Sequence, residues 1–294
     1  MFPIPGKSSK IEDKSFPQKN TLQIDGRLIS WERPQLMGIV NLTPDSFFEG
    51  SRAEKSLDKV AKLVRSHISY GASILDLGGY SSRPGAAEVS LQEELDRVIP
   101  AVKWISSNYP DILISVDTFR AKVAEKAIKS GAHIVNDISA GVLDEEMIRT
   151  VAELQVPYIA MHMRGNPQNM QKKTNYSDIL GELLYYFAEK LEQFRKFGIK
   201  DVIIDPGFGF AKTIDQNYFL LRNLQQFQSL ASPLLVGISR KSMISKALSV
   251  EPNEALNGTT ALNMFALCHG ANILRVHDVK EANETLKLFN TLYP

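Results

Sequence analysis

The stretch Leu113-Ile-Ser-Val-Asp-Thr-Phe-Arg-Ala-Lys-Val-Ala-Glu-Lys-Ala-Ile-Lys-Ser-Gly-Ala-His-Ile-Val-Asn-Asp-Ile138 holds one complete structural unit. It opens on a short apolar run that ends at Asp117. An amphipathic segment follows over 121–130, closed by Gly131 where a helix C-cap glycine belongs. A second apolar run, 133–138, carries Asn136 and Asp137 near its end. Continuous rather than alternating apolar runs suit strands covered on both faces of a parallel sheet. Strand, helix, strand in that order implies a right-handed crossover.

The same unit recurs on both sides. Apolar runs stand at 36–42, 73–77, 113–116, 133–138, 158–163, 202–204, 234–238 and 273–276. Amphipathic segments lie between them at 56–69, 91–107, 121–130, 145–154, 179–197 and 218–230, with Gly71 and Gly198 at further C-cap positions. Eight units in 294 residues predict an α/β fold, a closed (β/α)8 TIM barrel. An open doubly wound sheet is the rival, but no Gly-x-Gly-x-x-Gly follows the first strand. Residues 21–31 read as a short N-terminal hairpin turning at Asp25-Gly26, placed to close the bottom of the barrel. The chain thus divides into a polar, flexible extension, 1–20, and a single domain, 21–294.

The composition narrows the function classes. A net charge of +1 favours neither nucleic acid nor a membrane surface. Residues 1–20 hold no apolar core of a secretory signal, and no apolar run is long enough to span a bilayer, so the cytoplasm is the expected compartment. The one cysteine, Cys268, sits in an amphipathic stretch and reads as a packed side chain.

In such a barrel the chemistry stands at the C-terminal ends of the strands. Here they end in Asn41; Asp76; Asp117; Asn136 and Asp137; Met161, His162 and Arg164; Asp205; Ser239, Arg240 and Lys241; and Arg275, His277 and Asp278. Acids and amides dominate one side and bases the other. That layout suits a two-part ligand: a heterocycle rich in N–H donors, and phosphate oxygens. An Asn or Asp beside those oxygens supplies a protein ligand for Mg2+, which keeps most of its waters.

Several of these residues have structural rivals. Asp76 could cap the following turn, Asp117 could be a helix N-cap, and Asp205 before Pro206-Gly207 could be a turn residue. His162 and His67 read as structural. Lys241 at a helix start opposes the helix dipole, which favours a functional reading. Two loops, 41–50 and 78–86, combine Gly, Pro and hydroxyls with Phe47 and Arg83, as lids would.

Eight motifs share one resemblance: Met37-Gly-Ile-Val-Asn-Leu-Thr-Pro-Asp-Ser-Phe47, Asp76-Leu-Gly-Gly-Tyr-Ser-Ser-Arg-Pro-Gly85, Ser115-Val-Asp-Thr118, Val135-Asn-Asp-Ile138, Met161-His-Met-Arg-Gly165, Asp205-Pro-Gly-Phe-Gly-Phe210, Ser239-Arg-Lys-Ser-Met243 and Arg275-Val-His-Asp-Val279. In that order and spacing they resemble the dihydropteroate synthases. The resemblance implies a transferase of folate biosynthesis. Such an enzyme condenses 6-hydroxymethyl-7,8-dihydropterin diphosphate with 4-aminobenzoate, giving 7,8-dihydropteroate and pyrophosphate.

It also implies roles for this chain's residues. Asp117, Asn136 and Asp205 accept N–H groups of the pterin, with Asp76 in the same pocket. Lys241 meets the ring's acceptors, and Met161 and Phe210 pack around it. Arg275, His277 and Asn41 hold the diphosphate, with Asn41 also on Mg2+. Ser82 and Arg83 lie near the diphosphate, Asp45 and Phe47 on the first loop, and Ser242 meets the aminobenzoate carboxylate. Lys241, Arg275, His277 and Asp117 are the expected catalytic set. Sulfonamides are the expected competitors and a homodimer the expected assembly, with the apolar helix at 262–267 as one interface. Tyr80, Ser82 and the Phe48-Glu49-Gly50-Ser51 loop ending depart from the family's commoner residues. The alternatives are a pterin-binding methyltetrahydrofolate methyltransferase, a Schiff-base aldolase using Lys241, and a non-catalytic pterin-binding paralogue.

Overall fold

The computed structural model describes residues 21–24, 27–31, 33–42, 53–81 and 88–294. The eight apolar runs are eight parallel strands: β3 (Gln35–Asn41), β4 (Ile74–Gly78), β5 (Leu113–Asp117), β6 (Ile134–Asp137), β7 (Tyr158–Met161), β8 (Val202–Asp205), β9 (Leu235–Val236) and β10 (Ile273–Val276). They run side by side in chain order from β3 to β8, and β10 pairs with both β3 and β9. A bridge from Ile204 to Leu234 joins β8 to the start of β9 and closes the barrel.

The antiparallel hairpin of β1 (Thr21–Ile24) and β2 (Arg27–Ser30) lies below it. Leu22, Ile24 and Trp31 pack there on Met37, Ile74, Ile134, Ile159, Ile203, Leu235 and Ile273. Those strand residues form the lowest inward layer, so the hairpin plugs the barrel bottom as its position in the sequence predicts.

Nine helices among the described residues wrap the barrel: α1 (Ala53–Ser69), α2 (Leu91–Asn108), α3 (Ala121–Lys129), α4 (Met147–Leu154), α5 (Ile179–Phe197), α6 (Ile214–Arg222), α7 (Ser242–Leu248), α8 (Leu256–Cys268) and α9 (Val279–Leu292). Gly71, Gly131 and Gly198 follow helices with φ of 98°, 108° and 86°, the left-handed geometry that C-caps require. The helix expected over 218–230 differs. Thr213 caps Gln216 in a capping box, so α6 starts at Ile214, and the chain turns to a 3-10 segment, Leu224–Leu230, after Asn223. That Thr-x-x-Gln signal was in the sequence.

Strand pleating then sorts the strand ends. Successive side chains alternate between lumen and helix layer. Asp76, Asp117, Asn136, Met161, Asp205 and Arg275 share the inward parity. Asp137, one residue past Asn136, turns outward and accepts from Tyr158 Oη (2.7 Å), Ser139 Oγ (2.7 Å) and Gly141 N (2.7 Å).

Candidate active site

Asp76 is the hub of the lumen. It is wholly buried and accepts from Ser115 Oγ at 2.6 Å, Asn136 Nδ2 at 3.0 Å and Arg275 Nε at 2.6 Å. Its part is therefore to hold Asn136 and Arg275, and it does not cap a turn. The Arg275 guanidinium also donates from Nη2 to Asp117 at 2.6 Å. Asp117 lies in register with both Gly78 and Asn136. It is no N-cap, because α3 begins after Arg120 and the backbone N–H of Ala121 donates to Asp144. Asp205 faces Met161 in register and accepts from Gly207 N at 2.8 Å, so its turn role and its lumen position coexist.

The bases reach in from the far side. Lys241 precedes α7; its Nζ donates to the Phe208 carbonyl and stands 5.0 Å from the centre of the Phe210 ring. Met161 and Phe210 share one apolar cluster with Ile138, Met163, Met170 and Ala211, forming a wall beside the carboxylates. The backbone N–H of His277 donates to Ser239 Oγ at 3.2 Å, and its Nδ1 lies 3.2 Å from the same oxygen. Ser242 is exposed at the first position of α7, and Asn41 is half-buried at the end of β3.

The electrostatics follow from this crowding. Burial pushes the Asp117 carboxyl up to about 7; Arg275 opposes the shift and Asp76 adds to it. Burial also raises Asp205, against the pull of Lys241. Burial lowers Lys241 to about 8, with Asp205 opposing. For Arg275 burial works against the charge, but Asp76 and Asp117 outweigh it and hold the guanidinium above its ordinary value. Three carboxylates thus face Lys241 and Arg275 in a largely buried lumen, ready to exchange internal partners for a ligand's donors and acceptors.

The structure corrects part of the strand-end reading. Acids and bases do not stay on separate sides, since Arg275 crosses the lumen to two carboxylates. Arg240 leaves the basic side for a bidentate pair with Asp278, and Arg164 turns out to Glu182 and over the Tyr176 ring. His162 is structural, with Nδ1 on Lys212, and His67 meets the Ile39 carbonyl from α1. Asp45, Phe47, Ser82 and Arg83 lie outside the described residues.

Two residues of this region were missed. Lys212 is buried behind the Asp205–Phe210 segment; its signal was a lone lysine after Gly207-Phe-Gly-Phe-Ala211. Glu94 is wholly buried on α2 and accepts from Thr118 Oγ1 and Arg120 Nη1, each at 2.7 Å. Burial raises its carboxyl, with Thr118 and Arg120 opposing. It sits at the apolar spacing of Val98, Ala101, Val102 and Ile105, which marked it in the sequence.

The family model for pterin binding enzymes matches residues 37–277. The chain belongs to the pterin binding enzyme family. Within that family it is 44% identical to the dihydropteroate synthase of Escherichia coli (strain K12) over 265 residues, 90% of this chain and 93% of the relative. Its fold superposes on the Yersinia pestis dihydropteroate synthase, solved with a sulfonamide drug, at a TM-score of 0.87 and 39% identity, covering 92% of this chain and 98% of that one. It is also similar to the Xanthomonas albilineans dihydropteroate synthase solved with 4-aminobenzoic acid: TM-score 0.86, 34% identity, 93% and 98% coverage. Identity of this extent to several dihydropteroate synthases, over nearly the whole of both chains, makes the chain a transferase of folate biosynthesis with dihydropteroate synthase activity, so the methyltransferase, aldolase and non-catalytic alternatives are set aside.

Proposed function

We propose that the lumen holds the pterin ring of 6-hydroxymethyl-7,8-dihydropterin diphosphate, and that 4-aminobenzoate approaches from the barrel mouth. The observation that carries this is the inward layer of half-buried Asp117 with buried Asn136 and Asp205, a set of acceptors beside the apolar wall of Met161 and Phe210. A pterin edge supplies the donors those acceptors need, and a flat ring fills the space along the wall. Lys241, between Asp205 and Phe210, donates to the ring's acceptors.

Arg275 and His277 hold the diphosphate, Arg275 by exchanging Asp117 for phosphate oxygens. The amine nitrogen of aminobenzoate attacks the pterin methylene carbon. The new C–N bond replaces the C–O bond, pyrophosphate leaves, and the nitrogen gives up a proton to solvent. Aminobenzoate is already a neutral nucleophile, so the residues' main task is to stabilise charge on the leaving group. The exposed Ser242 hydroxyl meets the aminobenzoate carboxylate, where sulfonamides compete. Asp45, Phe47, Ser82 and Arg83 extend the site onto the two loops.

Among the described residues no group of three His, Cys, Asp or Glu side chains gathers to hold a metal. Asn41, half-buried at the end of β3, would be the one protein ligand of a Mg2+ whose other positions substrate oxygens and water would fill. When bound it supplies Lewis-acid neutralisation of the diphosphate.

Homodimer formation uses the α8–α9 side. Ala266 and Leu267 of α8 face the core, whereas Leu288 and Leu292 of α9 are 61% and 66% exposed. A mass twice that of the chain in light scattering is the expected result.

An assay of pyrophosphate release from the pterin diphosphate tests the reaction. Release that needs both aminobenzoate and Mg2+ is expected; no turnover with both present would sink the reading.

A further inference from the structure

Lys212 has no part in the chemistry above, yet its side chain is 3% exposed. A buried ammonium is costly unless its three N–H groups are all used. Here Nζ donates to His162 Nδ1 at 3.1 Å, to the Gly207 carbonyl at 3.0 Å and to the Phe210 carbonyl at 3.0 Å, with the His162 carbonyl 3.4 Å away. The segment wrapped around it turns tightly and carries one strained residue. Gly207 and Gly209 have φ of 70° and 83°, which glycine adopts freely, whereas Ala211 is held at a φ of 50°. A Cβ on Gly207 would stand 2.1 Å from the His162 carbonyl oxygen. Backbone of this kind persists only where its surroundings over-determine it. The same few residues carry the pterin-facing groups. Asp205 accepts from Gly207, the Phe208 carbonyl holds Lys241, and the Phe210 ring lies beneath the Lys241 ammonium.

We propose that Lys212 is a positioning residue of the pterin pocket: its ammonium gathers the Gly207 and Phe210 carbonyls onto His162 and so fixes Asp205, Phe210 and the carbonyl that anchors Lys241. The proposal rests on the pterin lying in the lumen as described above. It requires the ammonium form, because three acceptors need three N–H groups and a neutral amine offers two.

The charged neighbours come from three elements. Asp205 at the end of β8 favours the ammonium; Lys241 at the start of α7 and Arg164 after β7 oppose it. His162 at the end of β7 is held neutral by burial and by Lys212 itself. Tyr176 donates to the Ala211 carbonyl at 3.0 Å, and Tyr186 of α5 meets the His162 ring edge-on. Burial brings Lys212 down to about 7, so the cage loosens as pH rises through that value.

Calorimetric titration with 6-hydroxymethyl-7,8-dihydropterin diphosphate tests this on the wild type, Lys212→Met and Lys212→Gln. It is run from about pH 6 to about pH 9, alongside the thermal midpoint and the KM for 4-aminobenzoate at saturating pterin diphosphate. Both variants should bind the pterin diphosphate about tenfold or more weakly at pH 6, the scale of one charge-assisted hydrogen bond, with the aminobenzoate KM unchanged. The ratio of wild-type to variant affinity should shrink as pH passes about 7, because the wild type then loses the same ammonium. A lower midpoint with wild-type pterin affinity would mean a structural role only and overturn the proposal. So would failure of both variants to fold. A wild type that binds no pterin diphosphate would overturn the pterin reading itself, and the proposal with it.

Discussion

Arg275→Met removes a guanidinium that spans two carboxylates of the lumen. Its Nε and Nη2 donate to Asp76 and Asp117, each at 2.6 Å. The side chains of Arg275, Asp76 and Asp117 are 21%, 0% and 17% exposed, so little water replaces the lost partner. Removing one member of a buried pair costs about 3–5 kcal/mol. The lower end applies here, because Asp76 keeps its bonds from Ser115 and Asn136; the ligand-free variant should lose about 3 kcal/mol near pH 6. The pH dependence has a definite sign. Burial pushes the folded Asp117 carboxyl up to about 7, above the ordinary carboxylate value of 3.8. Stability from such a group is fully present below the unfolded value and is lost as pH rises through the folded value. Without Arg275 the folded value rises further. The variant therefore goes on losing stability above about pH 7, where the wild type has finished, by up to about 1.4 kcal/mol per pH unit. Urea unfolding of both proteins at about pH 6 and about pH 8.5 measures the gap. A gap under about 1 kcal/mol at the lower pH, or one that stays constant or narrows at the higher pH, would show that Arg275 does not hold the two carboxylates.

Three further outcomes are expected. Asp205→Asn should weaken pterin affinity about 10- to 100-fold by calorimetry and leave the thermal midpoint within a few degrees, while wild-type affinity would remove Asp205 from the pocket. Tyr158→Phe should cost about 1–3 kcal/mol in unfolding, from the lost bond to Asp137, with kcat/KM unchanged; a kinetic loss beyond about threefold would return Asp137 to the site. Chelation of divalent ions should stop pyrophosphate release and added Mg2+ should restore it; a full rate in chelator would dispense with the ion.

The barrel was legible because its signals are local and repeated. Each strand is a short continuous apolar run, and each C-cap glycine at 71, 131 and 198 takes the left-handed geometry that the residue type permits. The inward residues were legible as strand ends but not as a sorted set. Asn136 and Asp137 look alike in sequence, and only the pleat sends one to the lumen and the other to Tyr158. The same alternation removes His162, while Arg164 and Arg240 are withdrawn by Glu182 and Asp278, partners distant in sequence. Lys212 escaped notice because its role depends on carbonyls of residues 162, 207 and 210, which composition and spacing do not reveal. Glu94 could have been found, since helical periodicity places a carboxylate in an otherwise apolar row and a buried partner must answer it. The resemblance supplied the substrates; no residue pattern alone distinguishes a pterin from another donor-rich heterocycle.

A crystal structure of this protein with 6-hydroxymethyl-7,8-dihydropterin diphosphate bound would show whether the lumen is the pterin site. The expected density places the ring in the lumen, its N–H groups on Asp117, Asn136 and Asp205, with Arg275 moved from Asp117 to the diphosphate. A ring bound elsewhere, or a ring in the lumen with Arg275 still on Asp117, would contradict it.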